Sequence, residues 1–131
     1  MNANTKLIQD LYAAFGRGDI PYILERFASD IELNGPDAPD LPYRGAYLGR
    51  KGAQQYFERI AGALEVTAFE PKTYIASGDE VMTAGSWSGK ARATGKSFHT
   101  PWAMHFVIRD GQVTYGRVYE DSGVTAAALR K

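Results

Sequence analysis

Three side chains near the C-terminal end have the types and spacing for acid–base chemistry. In VTYGRVYEDSG, Val113 to Gly123, the residues Val113, Tyr115, Arg117, Tyr119 and Asp121 alternate, so an extended backbone puts them on one face. That face starts apolar and ends in an arginine, a tyrosine and a carboxylate. A carboxylate bordering an apolar cavity is partly desolvated, which raises its pKa and fits it for general acid–base work near neutral pH. Arg117 or a tyrosine would stabilise negative charge developing on a substrate oxygen. Abstracting a proton next to a carbonyl needs little more than an apolar slot, one base and one oxyanion donor. Asp121 is therefore the candidate acid–base residue, with Arg117 beside it.

Each of these residues also has a purely structural reading. Asp121 precedes SGVTAA, where it would cap a last helix. Arg117 would pair with Asp121, Glu120 or a helix carboxylate as a structural ion pair. Trp87 and Trp102 serve equally as core. His99 and His105 are the only histidines. His105 falls on the strand face opposite Trp102, which suits a surface or an interface better than catalysis.

These side chains need elements to position them. Leu7, Ile8, Leu11, Tyr12 and Phe15 have helical spacing, and GRGD stops that helix. Asp19 caps a second helix with Pro21 in its first turn. DIEL reads as a short strand, and NGPDAPDLPYRG, with Pro36, Pro39 and Pro42, as a loop. GRKGAQQYFERIAGAL is a third helix that buries Tyr56, Phe57, Ile60, Ala61 and Leu64. After Glu65 the pattern changes to VTAFEPKTYIA, EVMTAGSWSGKA, SFHTPWAMHFVI and QVTYGRVYE, separated by SGD, TG and RDG. These read as strands joined by tight turns, which makes neighbours antiparallel.

The expected fold is α+β: a cone-shaped, curved antiparallel sheet wrapped around three N-terminal helices, with residues 1–131 forming a single domain. Alternation places Trp102, Met104, Phe106 and Ile108 inside the cone, together with Val81, Thr83, Gly85 and Trp87. The face through Tyr115, Arg117, Tyr119 and Asp121 is placed inside as well. Phe15, Phe27 and Phe57 from the helices and Tyr43 from the loop complete an aromatic-lined pocket. The expected ligand contacts are thus Trp87, Trp102, Met104, Tyr119, Phe15, Phe27, Phe57 and Tyr43. The expected partner is a small apolar molecule. The Ala103, His105 and Val107 face is apolar enough to predict a homodimer through the outer sheet face.

Composition narrows the rest. Fifteen basic and fifteen acidic residues cancel without a like-charged block, which disfavours nucleic acid or an anionic membrane as partner. There are no cysteines, so disulfides, thiolate chemistry and cysteine zinc sites are excluded. Two histidines are too few for a histidine-rich metal site, and no cofactor is implied. MNANTKLIQD has no apolar core of signal-peptide length, and no stretch approaches a membrane span, so the expected location is the cytoplasm.

The ordered words LYAAFGRGD, ILERFASDIEL, PYRGAYLGRKGAQQYF and HFVIRDGQVTYGRVYEDS resemble the nuclear transport factor 2-like superfamily. They are most similar to its polyketide-cyclase (SnoaL)-like and ketosteroid-isomerase-related branch. The resemblance implies a cone-shaped α+β barrel. In the cyclase branch it implies an acid–base aspartate near the end of the last strand, where Asp121 falls. The steroid isomerases' catalytic positions are not kept: Gly35 precedes Pro36, Leu11 lies eight residues before Asp19 with Tyr12 beside it, and Met104 precedes His105. The expected function is an isomerase, cyclase or lyase acting on a hydrophobic carbonyl compound. The alternative is a non-catalytic module holding a small apolar ligand or a partner in the same cone.

Overall fold

In the computed structural model, which describes residues 2–130, the chain opens on a capped helix. The Asn2 side-chain oxygen accepts backbone N–H groups from Asn4 (2.8 Å) and Thr5 (3.4 Å), satisfying donors that a helix start leaves free. This helix, α1, runs Ala3–Gly16 and buries Ile8, Leu11, Tyr12 and Ala14. Asp19 caps α2 (Ile20–Arg26) by accepting from the Tyr22 N–H at 3.3 Å. The chain continues through β1 (Phe27–Asn34), β2 (Ala46–Leu48) and α3 (Gly49–Ala63). The long strands β3 (Leu64–Ser77), β4 (Glu80–Ala91), β5 (Ser97–Arg109) and β6 (Gln112–Glu120) follow, and α4 (Ser122–Leu129) ends the chain's regular structure.

The six strands form one sheet in the order β2-β1-β6-β5-β4-β3. From β3 to β6 every neighbour is antiparallel, as the short turns require. The sheet as a whole is mixed, because β1 runs parallel to β6. That pairing is open to β1 because α3 and four strands separate it from β6 in sequence, long enough for a crossover. The sheet is curved but not closed: β2 and β3 are its two edges.

The curvature has a local cause. Register slips by one residue at Thr67 and again at Lys72 of β3, with Gly89 and Gly85 of β4 sitting at these bulges. A bulge bends and twists the strand that carries it. At Gly85 the two strands come so close that an added Cβ would lie 2.2 Å from the Glu70 carbonyl oxygen and 2.8 Å from Cζ2 of Trp102. Only a residue without a side chain leaves room for both the bent strand and the indole.

The helices α1, α2 and α3 lie against the concave face, where Ile8, Ile31, Leu41, Leu64, Val81, Ile108 and Val113 are all but fully buried. Ala61, expected to be buried, is exposed. Among the described residues, no helix is long and apolar enough to cross a membrane.

Candidate functional site

The concave face is not filled to the end. Between the sheet and the helices lies a cavity of about 80 Å³, walled by Leu11, Tyr12 and Phe15 of α1, Tyr56, Phe57 and Ile60 of α3, and the inner face of β3 to β6. Phe69, Trp87, Trp102, Met104, Phe106, Val118 and Glu120 supply that inner face. The aromatic rings hold one another edge to face: Tyr12 meets Phe69 at 5.2 Å and Trp102 at 5.5 Å, and Phe69 stacks flat on Trp102 at 5.0 Å. Such pairs fix ring orientation beyond what burial alone does.

Glu120 is the polar exception in this wall. Tyr43 donates its hydroxyl to Oε1 at 3.0 Å, and the Trp87 indole N–H donates to Oε2 at 3.1 Å. Burial pushes the carboxyl above its ordinary value; the two donated hydrogen bonds pull the other way, and neighbouring Asp121 adds a smaller upward push. The phenols of Tyr12, Tyr43 and Tyr56 are driven far above their ordinary range, chiefly by burial, so they stay neutral. Tyr43 is presented by the loop between β1 and β2. The loop folds back on its own first residue, Gly35, where an added Cβ would stand 2.3 Å from the Tyr43 carbonyl oxygen.

A second polar group lies in the α1 wall. The Tyr12 hydroxyl shares a 2.7 Å hydrogen bond with the Thr83 hydroxyl and donates to the Met104 sulfur at 3.1 Å. Thioether sulfur is a weak acceptor, so a ligand oxygen would readily accept that hydrogen bond in its place. The Trp102 indole N–H is buried with no hydrogen-bond partner; its ring position is set by stacking instead.

Of the residues singled out from sequence, Trp87, Trp102, Met104, Phe15, Phe27, Phe57 and Tyr43 line this cavity. Tyr119, Arg117 and Asp121 do not. Tyr119 is 50% exposed on the outer face, and the Arg117 guanidinium lies 5.7 Å from the centre of its ring. Asp121 is exposed at the N-cap position of α4, although its side chain makes no capping hydrogen bond.

The cause is a bulge. Val107 pairs with Tyr115 but Ile108 pairs with Val113, so Thr114 is an extra residue in β6. Val113 faces the core, and beyond the bulge the alternation reverses: Gly116, Val118 and Glu120 turn inward while Tyr115, Arg117 and Tyr119 turn outward. Sequence reasoning thus passed over Glu120, together with Tyr12, Tyr56 and Phe69 as cavity residues, while Phe106, placed inside the cone, does line it. The signal for Glu120 was Gly116, since an isolated glycine inside a strand pattern marks a bulge or a close approach.

Elsewhere, His105 pairs with Glu80 at 2.8 Å on the outer face, and His99 bonds the Ser88 hydroxyl at 2.6 Å at an exposed position. Among the described residues, no three His, Cys, Asp or Glu side chains converge as metal ligands would.

With this geometry in place, comparison with known proteins is specific. The family model described as SnoaL-like domain matches residues 8–116. An NTF2-like protein from Burkholderia xenovorans is 28% identical, with a TM-score of 0.86 over 97% of this chain and 95% of that one. An NTF2-like protein from Burkholderia thailandensis is 25% identical, with a TM-score of 0.89 over 100% of both. TerC, co-crystallised with polyporic acid, is 22% identical with a TM-score of 0.85 over 99% of this chain and 100% of that one, a likeness of fold alone. No curated protein matches the chain.

Proposed function

We propose, from the premise that this chain belongs to the SnoaL-like family, that it binds a small, largely apolar molecule in the aromatic cone and exchanges a proton with it through Glu120. The observation that carries this reading is the Glu120 carboxyl: it borders the cavity, each oxygen is held by one donor, and burial raises its proton affinity. A carboxyl so placed is oriented by Tyr43 and Trp87 and needs little reorganisation to take or give a proton. Tyr12 would supply the complementary donor to a ligand oxygen by leaving the Met104 sulfur. This supports the isomerase, cyclase or lyase class acting on a hydrophobic carbonyl compound. An exposed Asp121 has neither the desolvation nor the cavity contact that the same role demands.

A wall so apolar also serves a non-catalytic binder, and one observation favours that second reading: both Glu120 oxygens already accept a hydrogen bond from the protein. Exchange separates the two. One- and two-ring ketones would be incubated with the protein in heavy water, and deuterium at the carbon next to the carbonyl followed by NMR. Wild type should accelerate exchange, and Glu120→Gln should slow it by about 10²–10⁴-fold. Bound ketones that never exchange faster than in buffer would leave the binder and remove the acid–base role.

The outer face is proposed to pair two copies of the chain. Ile75 and Met82, cross-strand partners, are 65% and 42% exposed, and Ala84 and Ala103 lie beside them.

A further inference from the structure

The charge inventory of the cavity says what kind of molecule it would hold. Seventeen residues line it, and Glu120 is the only carboxyl among them; among the described residues, no lysine, arginine or histidine reaches it. The arginine placed nearest by sequence, Arg117, faces outward. The polar donors of the Glu120 end, the Tyr43 hydroxyl and the Trp87 N–H, are already committed to the carboxyl. An anionic ligand would find two neutral donors, the Tyr12 hydroxyl and the unpartnered Trp102 N–H, but no cation to offset the Glu120 carboxyl. A cation meets the reverse: a carboxyl with unused lone pairs, set among rings whose faces carry negative charge density.

We propose that the natural occupant of this cone carries a basic nitrogen, an ammonium or a protonated imine on a small apolar skeleton, seated between Glu120 and the rings of Trp87, Tyr43 and Tyr56. This rests on the reading that the cone is a ligand site, and narrows it to a ligand charge; it does not depend on turnover. Size sets the skeleton. At roughly 10–15 Å³ of such space per water, a cavity of about 80 Å³ matches roughly half a dozen waters, enough for a one-ring amine. The ion pair would form from either protonation state of the ligand. A free amine takes the proton of a neutral Glu120, and an ammonium pairs with the carboxylate; the bound product is the same.

The experiment holds the skeleton fixed and varies the charge. Binding of phenethylamine, phenethyl alcohol and phenylacetate to the wild-type chain would be measured by calorimetry at neutral pH. Benzyltrimethylammonium would be compared with its uncharged carbon isostere, neopentylbenzene. The amine should bind at least about tenfold tighter than the alcohol, and phenylacetate weaker than either. The quaternary ammonium should likewise exceed its isostere.

Equal affinity of amine and alcohol, or phenylacetate as the tightest, would overturn the inference while leaving the cone an apolar ligand site. No binding by any of the five would overturn the site reading itself, and this inference with it. Glu120→Gln should reduce the preference for amine over alcohol to about equality, with the near-ultraviolet circular dichroism of the tryptophans as the measure of an intact cone. An amine preference that persists in that variant would show that Glu120 is not the partner. Because the wild-type series decides alone, a variant that failed to fold would not rescue the inference.

Discussion

Glu120 is an ionisable side chain that the fold partly withholds from water, and its energetics follow from that. Burial lifts its pKa above the ordinary 4.5, so folding favours the protonated form. Its favourable contribution is complete below that ordinary value and is lost as pH rises through the elevated folded pKa. Tyr43, Trp87, Tyr56 and Asp121 are the groups that bear on it, and the phenols remain neutral through this range. Glu120→Gln cannot ionise. The melting temperature of wild type minus that of the variant should therefore fall as pH rises from the ordinary carboxylate value toward neutrality. A difference that stays constant across that range would mean that Glu120 titrates as though exposed. Asp121 gives the contrast. It is exposed and makes no capping hydrogen bond, so Asp121→Asn should change stability by less than about 0.5 kcal/mol and leave ligand binding unaltered. A loss beyond that in urea unfolding would assign Asp121 a structural contact that the geometry lacks.

At the scale of elements, the site is built by irregularities in otherwise regular strands. Gly85 sits opposite the Pro71 bulge and under the Trp102 ring, with no room for a methyl group on either side. The nearest obstacle is a backbone carbonyl, which cannot rotate away as a side chain would. Gly85→Ala should cost about 1–3 kcal/mol and shift the near-ultraviolet circular dichroism of the tryptophans as Trp102 leaves its stack on Phe69. An unchanged spectrum with unchanged stability would mean that β3 yields freely. The same irregularities decide what could be read beforehand. The four long strands are legible from the tight turns between them, and the helices and the inward face of β4 and β5 because each keeps one period: Val81, Thr83 and Trp87 are buried, as are Trp102, Phe106 and Ile108. The face of β6 is not, because one extra residue at Thr114 reverses it, and a slip of one residue costs no visible change in composition. Trp87, Trp102 and Met104 were therefore readable from alternation and Phe15, Phe27 and Phe57 from helical spacing, while the carboxyl fell one position away from the residue nominated. The parallel pairing of β1 with β6 left no local mark either, since its connection runs through most of the chain.

For the whole molecule, the two faces of one sheet divide the work. The concave face is packed with α1, α2 and α3 and holds the cavity, while the convex face of β3 to β6 exposes Ile75, Met82 and Tyr119. One row across that face reads Ile75, Met82, His105 and Arg117, and the next reads Thr73, Ala84, Ala103 and Tyr119. The exposed Ile75, Met82 and Tyr119 surround two alanines, so a bulky apolar rim encloses a shallow centre. A twofold axis through that centre would let the alanines of two copies approach while the larger side chains interlock around them. Two polar groups beside this centre already have partners, His105 on Glu80 and Arg117 over Tyr119. Sedimentation velocity should find a dimer at micromolar concentration. Ala103→Glu should convert it to a monomer whose circular dichroism and ligand binding are intact, because the substitution buries a charge only in the pair. A wild-type chain that stays monomeric from about 1 to 100 μM, where an interface near the standard 1,600 Å² normally holds, would show that this face is solvated and that the cone works as a single copy.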